Sequence, residues 1–415
     1  MSEKIHDRNY EKRLVTLFSL TWGFLHLNRL SVNFMMPAIM ESIPMTNAQV
    51  SYISGATTFA FAISSAVIGY ISDRTGHKKW WIIPLTLLAG VFAGLSFSAK
   101  SFGALVFFRA AFGVALGPIL VLIYNIMERA STEDSYGKNT GYVNSTCEFI
   151  VSLCGPIMMT QLCTMLGWRS STALICVLVL AVGIAMIKIV RDTGKSELKA
   201  GGRSGQLRQV LRKKNVVLAA FIAIMGIGGY WIIMNYAPLY WVEYAGLDIN
   251  GMGFVTSSMG VLAIIYAFIV PKISDNVGRK PVLAAVFGIA IIAPVVMAFM
   301  PQGKITIVVY ALIAGLPIST LPLYFSIVPY ESVPDSLKAT AGGFVTGVGE
   351  AVGGAVVPAI AGNVCPDLKS IIFSAAIVFA TAMILSICLT ETNPATVRRR
   401  NEARKIQEEH PGRAF

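Results

Sequence analysis

Apolar runs of about twenty residues recur along the chain, each closed by a short polar stretch, and about twenty residues of helix cross about 30 Å of hydrocarbon. One set of runs falls near 14–40, 50–71, 80–99, 102–127, 141–164 and 170–190. A second falls near 216–242, 252–271, 281–300, 303–329, 341–363 and 370–390. The runs are too long and too evenly apolar for the alternating strands of a barrel, and backbone groups in lipid must bond within their own segment. The expectation is an all-α membrane protein of twelve transmembrane helices in two sets of six.

The two sets repeat at an offset of 202 residues. Ile71-Ser72-Asp73-Arg74-Thr75-Gly76-His77-Lys78 after the second run matches Ile273-Ser274-Asp275-Asn276-Val277-Gly278-Arg279-Lys280 after the eighth. Gly141, Asn144, Glu148 and Pro156 recur in the same way as Gly343, Thr346, Glu350 and Pro358. An even number of spans in each copy makes the repeats parallel, related by an axis along the membrane normal. The expected division is a six-helix bundle over 1–190, a linker over 191–215, a second bundle over 216–390 and a basic tail over 391–415. The end of the linker, RSGQLRQVLRKKN, spaces Leu207, Val210 and Leu211 as one helical face opposite basic residues. It reads equally as an amphipathic surface helix or as a solvated linker.

Charge sharpens the topology. The net charge is +12. With Met1 inside, 28 of the 34 Lys and Arg fall on inner segments or span ends, which is the positive-inside pattern and removes the nucleic-acid reading. Both ends are expected on the cytoplasmic side of the membrane, in contact with anionic lipid. The mean hydropathy of +0.65 is too apolar for a soluble surface of this size. The six cysteines show neither a disulfide framework nor metal-ligand spacing. The first run is longer than a signal-peptide core and lacks a small-residue cleavage site, so it is expected to remain as a helix.

In Gly69-Tyr70-Ile71-Ser72-Asp73-Arg74-Thr75-Gly76-His77-Lys78-Lys79, Gly69 allows close packing and Gly76 lets the chain reverse. Asp73 can approach the positive end of the eleventh helix. The stretch resembles the loop signature of the major facilitator superfamily. Arg109-Ala110-Ala111-Phe112-Gly113 followed by Gly117-Pro118 is similar to that family's second motif. The resemblance implies the major facilitator fold, alternating access and a gating role for Gly69, Asp73 and Arg74, and more weakly for Asp275 and Arg279. Within the superfamily, Leu27-Asn28-Arg29-Leu30-Ser31-Val32 and Gly167-Trp168-Arg169 resemble the anion:cation symporter group. Asn28 and Leu116 stand where that group often carries the carboxylates linked to proton coupling.

Ionisable residues in mid-span are costly unless they line water or find a partner, so each is a functional candidate. Arg29 has no matching cation in the second half, and a guanidinium suits a carboxylate. The structural alternative pairs Arg29 with Glu148 or Glu350. Those two glutamates lie seven residues from Gly141 and Gly343 and share a helix face with Asn144 and Thr346 one turn earlier. They are the candidate proton carriers, or else ties between the bundles. Arg109 is either part of the gate or a hydrogen-bond hub between helices one and four. His26 is placed for relay or solute contact, or for a helix-helix bond. Asn33, Asn235 and Tyr236 lie in the first and seventh runs, which the resembled family uses as cavity walls, and with Asn28, Asn144 and Thr346 they are candidate solute contacts.

The expected function is therefore secondary active transport of a small organic anion, a carboxylate or sugar acid, with H⁺ as coupling ion, by a monomer without cofactors. There is no phosphate-binding G-x-x-x-x-G-K-[ST] loop and no HExxH cluster. A cation/drug:proton antiporter is the rival, with the glutamates binding a cationic solute and Arg29 structural. A membrane solute sensor is a remote one.

Overall fold

The computed structural model describes residues 7–192, 203–300, 303–394 and 396–398; parts of the expected linker and tail lie outside the described residues. The described chain is helical throughout, without strands. Among the described residues ten helices are long and apolar enough to cross a membrane. One of them, Ser135–Ile189, is two spans folded back at Gly167, whose φ of 77° only glycine adopts easily. Arg8–Phe34, continued by Met36–Ser42, supplies the remaining span and is less apolar because it carries Asn28, Arg29 and Asn33. Twelve spans result.

They are numbered here in chain order. Span 1 is Arg8–Phe34 with Met36–Ser42. Spans 2, 3 and 4 are Asn47–Thr75, Lys78–Ser98 and Phe102–Ala130. Spans 5 and 6 meet at Gly167. Spans 7 to 12 are Lys214–Glu243, Ile249–Val277, Arg279–Phe299, Lys304–Glu331, Asp335–Val364 and Leu368–Ile387. The side of the molecule that carries Arg8, Ile189 and Ile387 is called the near side, and the side that carries Ser42 and Asn47 the far side. The helix Arg203–Leu211 lies before span 7. It buries Val210, bonds span 11 through Gln206 and Thr340 at 3.1 Å, and leaves Leu207 and Leu211 exposed.

Arg109 of span 4 fixes the backbone of span 1. Its guanidinium is buried and donates to the Asn28 carbonyl at 3.2 Å, the Asn28 side chain at 3.0 Å and the Arg29 carbonyl at 2.7 Å. Ser31 also donates to the Asn28 carbonyl, at 2.9 Å. The arginine is thus the helix-helix hub, and in this structure it makes no contact across the two halves among its described bonds.

The halves meet on the far side through pairs that obey the repeat. A Cβ on Gly260 of span 8 would strike the Ser152 carbonyl of span 5, and one on Gly354 of span 11 would strike Thr58 of span 2. Adding 202 to Thr58 gives Gly260, and adding it to Ser152 gives Gly354. Gly253 against Thr160 and Gly362 against Ser51 form a second such couple, farther out. Hydrogen bonds from Tyr52 to Asn363 at 2.8 Å and from Thr164 to Asn250 at 3.2 Å complete this closure. On the near side, a Cβ at Gly69, Gly137, Gly141, Gly343 or Gly347 would meet nothing within 4 Å. The result is a cleft closed toward the far side and open toward the near side.

Prolines shape the walls of that cleft. Pro156 and Pro358 lack the N–H that would bond four residues back, and their rings crowd that turn. Spans 5 and 11 widen there into π-type turns at Phe149–Cys154 and Gly349–Val356. The widening begins at the two glutamates, Glu148 ending one helix segment and Glu350 lying inside the other π turn.

Two outcomes test this arrangement. Arg109→Ala should lower the thermal unfolding temperature in detergent, since each orphaned buried acceptor costs about 1–3 kcal/mol, with Arg109→Lys recovering part. Gly260→Val should weaken the far-side closure by about 1–3 kcal/mol through overpacking. Faster labelling of a cysteine placed at Asn33, by an impermeant thiol reagent supplied on the far side of a background lacking the native cysteines, would show it.

Candidate functional site

The centre of the cleft is built around Arg29. It is 6% exposed. One terminal nitrogen donates to Thr58 of span 2 at 3.2 Å and to Glu350 of span 11 at 3.3 Å. Its guanidinium carbon lies 4.9 Å from the Phe61 ring and 5.0 Å from the Trp231 ring of span 7, where a ring face adds to the attraction. The Nε of Arg29 is buried without a hydrogen-bond partner. Arg29 thus bridges the two halves at mid-depth, and Glu350, with 20% of its side chain exposed, keeps one edge open to the cleft.

Glu148 is placed differently from its repeat mate. Its side chain is exposed and accepts from Ser152 at 2.7 Å, and no basic side chain forms an ion pair with it among the described residues. Tyr230 of span 7 lies within electrostatic reach of Glu148, Arg29 and Glu350 together. Asn144, one turn before Glu148, accepts from Tyr124 at 3.0 Å, and Thr346 is half-buried one turn before Glu350. His26 is half-buried with its ring 5.1 Å from that of Trp22, and its Nδ1 is buried without a partner. Asn28 is fully buried and donates to the Cys176 sulfur at 3.6 Å, so it packs inside the first half.

Three expected cavity residues belong to the far-side closure instead. Asn33 donates to Asn235 at 3.0 Å, and both are almost fully buried where spans 1 and 7 cross. Tyr236 is buried and donates to the Asn47 carbonyl at 2.9 Å, linking span 7 to span 2. The Asn33 amide, the Asn235 side-chain oxygen and the Tyr236 hydroxyl are spent on each other and on backbone, while the Asn235 Nδ2 is buried without a partner.

The expected gating residues sit on the near side. Gly76 and His77 turn the chain with φ of 68° and 49°. Around them His77 meets Asp192 at 2.7 Å, and Lys79 donates to the Ile187 carbonyl at 3.0 Å. Arg74 covers the Tyr70 ring at 4.5 Å. The Asp73 side chain lies outside the described residues. In the second copy Arg279 bonds Asp275 at 2.5 Å and Glu331 at 3.0 Å. Glu391 accepts from the backbone N–H groups of Arg279 and Lys280 at 2.9 and 3.1 Å. These described contacts tie each loop to its own half, as the open near side requires. On the far side Arg169 donates to the Phe97 and Ala99 carbonyls at 2.6 and 2.7 Å, and Trp168 to Ser42 at 3.0 Å.

Sequence reasoning named Arg29 and Glu350 but missed Thr58, Phe61 and Trp231. The repeat offset itself held the missing signal for the tryptophan, since residue 29 advanced by 202 is Trp231.

Comparison with known proteins agrees with this architecture. The chain is 23% identical over 280 residues to a hexuronate transporter of Bacillus subtilis, a match covering 65% of this chain and 66% of the relative. It is 22% identical to a protein of Cupriavidus pinatubonensis named a probable 4-methylmuconolactone transporter, covering 80% of this chain and 79% of the relative. A purine ribonucleoside efflux pump of Salmonella paratyphi B is 22% identical, covering 68% and 70%. Among solved structures, an inward-facing, unoccupied bacterial homolog of the human lysosomal transporter Spinster superposes with a TM-score of 0.77. That pair shares 12% identity and covers 92% of this chain and 96% of the other, a likeness of fold. The family model described as Major Facilitator Superfamily matches residues 18–358, and the chain belongs to that family of membrane transporters.

Proposed function

We propose that the chain is a secondary active transporter carrying a small organic anion, a carboxylate or sugar acid, with Arg29 as its anchor. The observation that carries this reading is the position of Arg29 at the junction of the two halves, beside the cleft, with an unpartnered Nε and two aromatic faces. A charged site that contacts both halves is where bound solute would bias their rocking. The organic acids in the names of two relatives favour the same class. The bundles of 1–190 and 216–390, joined by 191–215, would rock about this site. The basic near side favours a cytoplasmic position for both ends at the inner membrane, and on that reading the described state faces inward. The transporter acts as a monomer with H⁺ as its coupling ion, for which Glu148 and Glu350 are the two candidate carriers.

Glu148 supports a second reading. With Arg29 matched by Glu350, an ionised Glu148 leaves the centre one negative charge in excess, which suits a cationic solute exchanged for protons. The efflux-pump relative fits that direction of transport.

Uptake of radiolabelled carboxylates, D-glucuronate first, into proteoliposomes with an imposed proton gradient separates the two. Hydrogen bonds to a charged group contribute about 1.5–3 kcal/mol, so Arg29→Ala should weaken apparent affinity about ten- to a hundredfold. Equal uptake by Arg29→Ala, or uptake of organic cations alone that Glu148→Gln abolishes, would replace the anion reading with the antiporter.

A further inference from the structure

The repeat axis passes through two pairs in which a residue touches its own repeat mate. Asn33 bonds Asn235, and Arg29 lies over Trp231; each pair is separated by 202 residues. On the axis, then, a cation faces one way and an indole the other. Glu148 and Glu350 are related by the same axis, so each looks toward the axial residue of the opposite half. Glu350 meets Arg29. By the repeat, the counterpart of that contact would set Glu148 against Trp231, and Glu148 bonds Ser152. Two glutamates that are equivalent by position are thereby made chemically unequal.

The bond between Arg29 and Glu350 is also a poor one. It runs from a single terminal nitrogen to a single carboxylate oxygen at 3.3 Å, whereas a matched guanidinium-carboxylate fork makes two parallel bonds of about 2.7–2.9 Å. That nitrogen is shared with Thr58, and Nε has no partner. A free carboxylate that could take up the fork geometry would satisfy more of the guanidinium than Glu350 does.

We propose that Glu350 is an internal carboxylate that competes with the solute for Arg29, so that each anion bound there places one proton on Glu350, while Glu148 stays outside this linkage. The inference rests on the organic-anion reading. The balance is closed: the solute carboxylate replaces Glu350 at the guanidinium, and the released Glu350 carboxylate takes one proton from the cleft, leaving the net charge of the centre unchanged. The groups around Glu350 are Arg29 from span 1, itself bonded to Thr58 of span 2, Tyr230 from span 7 and Tyr324 from span 10, with Glu148 of span 5 also within electrostatic reach of Tyr230. Among the described residues Arg29 is the one cation paired with it. Once displaced, Glu350 therefore has a proton as its remaining means of neutralisation inside the membrane.

Binding of D-glucuronate and a panel of short aliphatic and aromatic carboxylates to the purified full-length protein, measured across pH with acids ionised throughout, tests this. Over the pH range in which Glu350 is ionised in the free protein and protonated in the anion-bound protein, the wild type should lose about tenfold in affinity per pH unit, the slope for one linked proton. Glu350→Gln should bind with no pH slope and more tightly than wild type at high pH. Glu148→Gln should keep the slope, whatever its affinity. A slope that survives in Glu350→Gln, or vanishes in Glu148→Gln, overturns the inference and leaves the anion reading standing; no carboxylate bound by wild type at any pH sinks both. If Glu350→Gln does not fold, proton uptake in weakly buffered solution decides. One proton per carboxylate bound, in wild type and in Glu148→Gln alike, supports the proposal, and none in either protein overturns it.

Discussion

A guanidinium at mid-depth in a bilayer needs a counter-charge or water, and Arg29 takes its counter-charge from the opposite half of the molecule. Much else at the centre follows from that choice. The backbone that carries Arg29 must be held at a fixed height, and Arg109 holds it by three bonds to residues 28 and 29. Span 11 must bring Glu350 to the same height, and the π-type turn on which Glu350 sits re-aims side chains there relative to a regular helix. The two devices lie in different halves, so the ion pair spans the surface on which the halves would move.

Close packing on the far side and charge at the centre divide the work of joining the halves. The contacts of Gly260 with Ser152 and of Gly354 with Thr58 are steric, short in reach and present in two copies. Such contacts are made or broken as a block, because packed helices are bistable rather than continuously deformable. The central ion pair is present once and has no symmetric copy, because the mate of Arg29 is Trp231. Symmetric packing supplies a hinge-like surface that works equally for both halves. The single charge pair supplies the asymmetry that, on the proposed reading, a solute would act on.

The fold was largely legible in the sequence. The apolar runs anticipated the spans, and the constant offset anticipated that the halves are copies. The boundaries were less legible. Span 1 begins at Arg8 and span 5 at Glu133, several residues before their apolar runs, because Asp7 and Thr132 cap polar first turns. Capped polar turns in water carry no hydropathy signal. Within the site, the Arg29-Glu350 contact was legible as one of two possible pairings, since only mid-span carboxylates could answer a mid-span cation. Asn33, Asn235 and Tyr236 were read as cavity walls and are found sealing the far side. Sequence marks a polar residue on the inner face of a span but not its depth along the opening, and an amide pair can line a cleft or close it according to which side is open.

The remaining asymmetry concerns charge. Arg29, Glu148 and Glu350, all ionised, leave the centre with one negative charge, and a bound monocarboxylate would make it two. The low-dielectric surroundings make that excess expensive, so anion binding at Arg29 calls for a compensating proton on one of the glutamates. Geometry discriminates between them. Glu148 faces the cleft with Ser152 as its partner and is not paired with Arg29, so an anion at Arg29 would take no partner from it. Glu350 is paired with Arg29 and would lose its cation to an anion that took the guanidinium. A proton is most strongly linked to the group whose electrostatic partner is removed by the same event, which is why the repeat mate without an arginine is the weaker candidate for coupling.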